Sequence, residues 1–220
     1  KFGIALGISI LVFVAAFVAA RLTKVADMMR ISSGANLPTL EVGKVVWVSK
    51  LAKPQRFDFV SYYAETAEYG RQVWLHRLCA LEGDQVEVRD GRLYVNGKDA
   101  DRNFTLSHAY ITHVSNGPKL EGLLREENIY PISADSLVIH ADKELLARAG
   151  IVARRYLELK GQPDPHISGV YNNSPWNRDH FGPVIVPAGY YFVLGDNRDN
   201  SLDSRYRGFV NKEDFAGTML

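Results

Sequence analysis

The run Gly195-Asp196-Asn197-Arg198-Asp199-Asn200-Ser201-Leu202-Asp203-Ser204-Arg205 gathers acids, amides, guanidinium groups and hydroxyls into one short stretch. It has neither the alternation of a strand nor the stripe of a helix, yet it follows Gly189–Leu194, which reads as a good strand. A strand running into such a cluster predicts a loop held by its own side-chain hydrogen bonds and ion pairs, as the floor of a site would be. A solvated turn, a structural Asp–Arg knot and a calcium loop are the competing readings. The last lacks the alternating ligands, central glycine and distal glutamate of a calcium-binding loop. His76 is the second residue of interest. Its neighbours Val73, Trp74, Leu75 and Leu78 are apolar, which predicts a buried, hydrogen-bonded histidine, although imidazole is a competent base near neutral pH. His108, His113, His140, His166 and His180 lack the spacing of a metal site, so neither a metal nor a cofactor is expected. Cys79 lies among Leu78, Ala80 and Leu81 and reads as a small buried apolar side chain.

The elements that would position these residues are mostly short strands. Val42–Val48 and Phe57–Tyr62 read as strands around a turn at Lys53-Pro54-Gln55, and 72–81 is apolar and partly alternating. Gln85–Arg89 and Arg92–Val95 form a hairpin about Asp90-Gly91, a good turn pair. Strands return at Val184–Val186 and Tyr190–Leu194. Between the halves, Asp142 is a natural N-cap for a helix over Lys143–Ala149 that stops at Gly150. At the start, Phe2–Ala20 is an uninterrupted apolar run closed by Arg21 and Lys24, long enough as a helix to cross roughly 28 Å, about one hydrocarbon core. A cleavable leader ending near Val18-Ala19-Ala20 is the alternative. Thr23–Arg30 reads as a connector.

The chain has 220 residues and a formal charge of +1 from 26 basic and 25 acidic residues, which gives no reason to expect nucleic acid as a partner. The expected architecture is mainly β: an anchor over 1–22, a β core from 30–98 and 179–220, and a cap region inserted at 99–178.

The acidic run, continuing into Tyr206-Arg207-Gly208-Phe209-Val210, resembles the last signature box of bacterial type I signal peptidases, the S26 serine peptidases. Phe181–Pro187 resembles the strand leading into that box. Leu81–Val86 with Leu93–Gly97 resembles the family's middle segment, and Ser33–Leu40 the box that carries the nucleophile. The resemblance implies a single-pass protein of the cytoplasmic membrane with its folded part on the extracytoplasmic side. Exported preproteins or signal peptides would be its partners, with lipid around the helix and a membrane protein as a further partner, since Gly3 and Gly7 give a GxxxG spacing.

The dyad is altered at both positions. The family's serine stands where this chain has Ala35, followed by Asn36, and the lysine base stands where it has His76, followed by Arg77. An alanine methyl cannot attack a carbonyl. Ser33 matches the position that lends its hydroxyl to the oxyanion hole, and cannot replace residue 35 rigidly because side chains two apart on an extended strand lie roughly 6–7 Å apart. Asn36, Leu37 and Pro38 are expected to line the peptide groove. Asp196, Asn197, Arg198, Ser201, Asp203 and Arg205 are expected to support it. Three readings remain open: a non-cleaving signal-peptidase homologue, a Ser–His peptidase of the endoplasmic-reticulum and archaeal type with its serine replaced, and a membrane-anchored peptide-binding or assembly factor.

Overall fold

The computed structural model describes residues 2–22, 25–67 and 70–220, and within the first helix the side chains of 5–15 and 17–18. Helix α1 runs Phe2–Leu22. Strands β1 Ala26–Arg30, β2 Val45–Ser49, β3 Phe59–Thr66, β4 Gly70–Ala80, β5 Gln85–Arg89, β6 Arg92–Val95 and β7 Lys98–Asp99 follow. The middle of the chain holds β8 Ser107–His113, α2 Gly117–Leu120, β9 Ile129–Pro131, β10 Ser136–Asp142, α3 Lys143–Arg148, β11 Ala153–Arg155 and α4 Pro165–Val170. The chain closes with β12 Phe181–Ile185, β13 Tyr190–Leu194, α5 Ser204–Arg207, β14 Val210–Asn211 and β15 Phe215–Met219.

The fold is mainly β, as expected. A seven-stranded sheet runs β1-β2-β15-β3-β4-β13-β14, and its β3–β4 pair sets Val60 opposite His76. A four-stranded sheet, β12-β5-β6-β7, packs its apolar face into a core of Val86, Val88, Leu93, Phe181 and Phe192. The expected hairpin forms with the anticipated ends, and Asp90 and Gly91 both take positive φ, the geometry a two-residue turn between twisted strands demands.

The third sheet, β11-β8-β10-β9, comes entirely from the expected insertion. Asp142 caps α3 as anticipated, its carboxylate accepting the Leu145 N–H at 2.7 Å. The insertion is not uniform, however. Ile167, Tyr171 and Trp176, near its end, pack into the Phe181–Phe192 core because their bulk fills space between the sheets. The expected connector is also partly a strand, since Ala26–Arg30 pairs with Val45–Ser49 as the edge of the large sheet. Thr23 and Lys24 lie outside the described residues.

Helix α1 meets the sheet through Phe17, whose ring stands 6.3 Å from that of Trp47 in an edge contact. Among the described residues no helix is long and apolar enough to cross a membrane.

Candidate functional site

β1 leads into a short 3-10 turn over Gly34–Asn36. Backbone bonds between Ile31 and the 43–44 turn fix its entry, with Ile31 N–H to Lys44 O and Gly43 N–H to Ile31 O both 2.8 Å. Behind the turn runs β4, and the Asn36 side-chain amide donates to the Leu75 carbonyl at 2.7 Å. Ser33, Ala35, Asn36 and His76 therefore line one groove of about 630 Å³ together with Trp74 and Arg207. Ser33 is exposed, Ala35 half-buried and Asn36 buried, and the Asn36 Oδ1 has no hydrogen-bond partner among the described residues. Leu37 and Pro38, expected in the groove, do not line it. The turn ends at Asn36, and Pro38 with Thr39 borders a separate cavity beside α3.

His76 is 4% exposed and both ring nitrogens are engaged. Nδ1 lies 2.8 Å from the Tyr62 hydroxyl and Nε2 lies 3.2 Å from Ser201 Oγ. Burial lowers its pKa from 6.5 to about 4 against the opposing pull of Asp203, so the imidazole is neutral at physiological pH. Burial likewise raises the Tyr62 phenol, which stays protonated. A neutral imidazole within hydrogen-bond distance of a hydroxyl has the electronic state of a general base. The hydroxyls it faces are those of Tyr62 and Ser201, while residue 35 presents only a methyl group. Ser201 is thus a direct partner of the histidine, a contact that sequence spacing could not reveal because the two are 125 residues apart.

The acidic run is held as its composition implied. Asp196 accepts Arg77 Nε at 2.7 Å and Nη2 at 2.5 Å and also receives the Thr39 hydroxyl. Arg198 makes two bonds to Asp101, at 2.5 and 2.6 Å. Asp203 accepts Arg205 Nε at 2.9 Å and Nη2 at 2.8 Å, and takes the Gly195 N–H at 3.2 Å. Burial opposes ionisation of Asp203, but the Arg205 charge and its N–H bonds more than reverse this and hold the pKa below the usual carboxylate range. Asn197 joins the loop to the groove, donating its backbone N–H to Ala35 O at 2.9 Å and its amide to Gly34 O at 3.1 Å. Gly195 is required by contact: a Cβ there would fall 2.3 Å from both Ala35 O and Ser201 Oγ. Among the described residues no cluster of His, Cys, Asp and Glu could hold a metal ion. Cys79 is fully buried and its thiol is pushed up to about 12, an inert side chain.

A family profile described as signal peptidase, peptidase S26, matches residues 4–220. The signal peptidase I of Aquifex aeolicus is 29% identical over 202 residues, covering 88% of this chain and 73% of that protein. That of Rickettsia akari is 32% identical over 164 residues, covering 74% of this chain and 49% of the relative. The chloroplastic thylakoidal processing peptidase 1 of Arabidopsis thaliana is 27% identical over 207 residues, covering 89% of this chain but 41% of its own length. A crystal structure of a signal peptidase I from Enterococcus faecalis V583 matches 77% of this chain and 98% of its own at 24% identity, with a TM-score of 0.38, too loose a superposition to carry geometry across. With the family profile covering nearly the whole sequence, this chain belongs to the signal peptidase, peptidase S26, family.

Proposed function

We propose that this protein binds leader segments of exported preproteins in the Ser33–Asn36/β4 groove and does not cleave them through position 35. The observation that carries this reading is the Ala35 methyl group, which lines the same groove as a neutral, hydrogen-bonded His76. Acyl transfer through position 35 needs a side chain with a nucleophilic lone pair within about 3 Å of its base, and an alanine methyl group has none. Binding has what it needs. The groove is bounded on one side by the 29–36 segment and on the other by β4, an arrangement suited to an extended peptide laid along a strand. The unpartnered Asn36 Oδ1 is an acceptor for a peptide N–H, and the Ser33 hydroxyl is a donor for a carbonyl.

In this reading the apolar run Phe2–Ala20 of the sequence serves as the membrane anchor, although the described residues of α1 alone do not amount to a spanning helix. The bilayer would meet the exposed apolar side chains of Val45, Trp47 and Leu51 near the helix. The bacterial signal peptidases I of this family are membrane-associated, which supports a cytoplasmic-membrane location in this reading.

The Ser–His reading is favoured by one feature, the neutral imidazole itself. Both readings are tested by incubating the full chain, solubilised in detergent, with a preprotein and scoring cleavage by mass. The unaltered chain is expected to bind without cleaving. Cleavage by Ala35→Ser alone, lost again in Ala35→Ser/His76→Ala, would mark a site complete but for its nucleophile. Cleavage by the unaltered chain would overturn the non-cleaving reading.

A further inference from the structure

Among the described residues the groove that holds Ala35 and His76 is lined almost wholly by apolar and neutral polar groups, and Arg207 is the one described lining residue with a formal charge. It is exposed at the end of α5, and its placement is not that of a freely waving side chain. Nη2 donates to the Glu65 carbonyl, and the guanidinium carbon lies 5.8 Å from the centroid of the Trp74 ring, itself a wall of the groove. Trp74 in turn stands 6.0 Å from the His76 ring. A carbonyl oxygen neutralises no charge, and a guanidinium with one N–H committed keeps an edge of donors whose preferred partner is a carboxylate.

A second observation points independently to an absent ligand. Asn36 is 3% exposed, lines the same groove, and keeps Oδ1 without a partner among the described residues. A buried acceptor left empty is costly, and a peptide backbone N–H would satisfy it. The groove thus offers an acceptor for a backbone N–H near Ala35 and, past the Trp74 face, a cation.

We infer that the groove selects extended peptides bearing a carboxylate placed to reach Arg207, with Asn36 receiving a backbone N–H of the same peptide. This rests on peptide binding in the groove as proposed above and adds the chemical class of the bound segment. The carboxylate could be an acidic side chain or a free C-terminus, such as the end of an already cleaved leader. Both present the same group, so the experiment separates them.

Three labelled peptides of one apolar, small-residue sequence are titrated against the full chain in detergent by fluorescence anisotropy. One is a neutral C-terminal amide, one the same sequence as a free acid, and one the amide with an internal aspartate. At least one carboxylate peptide is expected to bind about three- to tenfold tighter than the neutral amide. That advantage should shrink at high salt and fall to about one in Arg207→Gln, while Arg207→Lys retains part of it. Because the readout is a ratio between peptides on one protein sample, a loss of folded protein does not mimic it. Equal binding of all three, or an advantage that survives Arg207→Gln, overturns this inference and leaves peptide binding standing. If no peptide binds at all, the groove reading falls and this inference with it.

Discussion

At the scale of single residues the site turns on His76, whose two nitrogens touch Tyr62 and Ser201 in an interior that resists its charge. An unfolded chain would protonate this imidazole near its ordinary 6.5, whereas the folded protein withholds the proton until about 4. Between those values the unfolded state binds more protons, so stability falls as the pH drops through the window, by about 3 kcal/mol from this residue. Burial lowers His108 and His140 as well, and they add to the same loss. Asp203 acts lower: its depressed pKa gives stability that is present above the carboxylate range and lost only as pH falls beneath it. Urea unfolding in detergent at pH 7 and pH 4.5 should therefore show a clear drop, and His76→Gln should reduce that drop without abolishing it. An unchanged drop would place the titration elsewhere. The apolar neighbours of His76 already implied burial, and the sequence position alone marked Ala35. The pairing with Ser201 needed the fold, because a hydroxyl in one loop and an imidazole in a distant strand share no local signal.

At the scale of elements the acidic loop is the joint of the structure, tying β4 to β13 and to the turn that carries Ala35. Its central pair, Arg77 with Asp196, is buried, and Arg77 also donates to the Phe57 carbonyl at 2.8 Å. Removing one partner of a buried pair strands the other, so Arg77→Ala is expected to cost about 3–5 kcal/mol in chemical denaturation. By contrast, Glu82→Ala, which removes exposed contacts with Lys212 and with the Gly189 N–H, should leave the midpoint nearly unchanged. Equal effects would mean that the loop is no more than surface decoration. The elements that sequence disclosed are those with local chemistry, the Asp90-Gly91 hairpin and the Asp142 cap. Strand β1 escaped because Ala26-Asp27-Met28-Met29-Arg30 has no clear alternation. An edge strand paired on one side only, to Val45–Ser49, is defined by its distant partner and not by its own pattern. The lining of the groove is likewise set by distant partners, since the turn over Gly34–Asn36 is followed by Leu37 and Pro38 outside it while Trp74 and Arg207 enter from elsewhere.

At the scale of the whole molecule the β11-β8-β10-β9 sheet is stitched to the acidic loop. Ser107 N–H donates to Asp196 O at 3.0 Å, Arg198 N–H returns to Ser107 O at 2.9 Å, and the Asp199 carboxylate accepts the Ala109 N–H at 2.7 Å. The same loop reaches the groove through Asn197 and Ser201, so β8 and the Ala35 turn are clamped by opposite faces of one segment. Composition could mark 99–178 as different from the rest, but it could not show this clamp, because its backbone bonds are ones that any residue types could make and its side-chain bonds, such as that from the Ala109 N–H to the Asp199 carboxylate, join residues far apart in sequence. If the two sides are coupled, Asp199→Asn, which weakens the acceptor for Ala109, should speed amide exchange at 107–110 and at 196–199 together. Exchange at Asn197, whose N–H is held by Ala35 O, reports whether the loosening reaches the groove. Faster exchange confined to 107–110 would mean that the inserted sheet opens alone and the groove is insulated from it. Faster exchange at all three places, with weaker peptide binding, would mean that loosening of the β11-β8-β10-β9 sheet is felt at the peptide site.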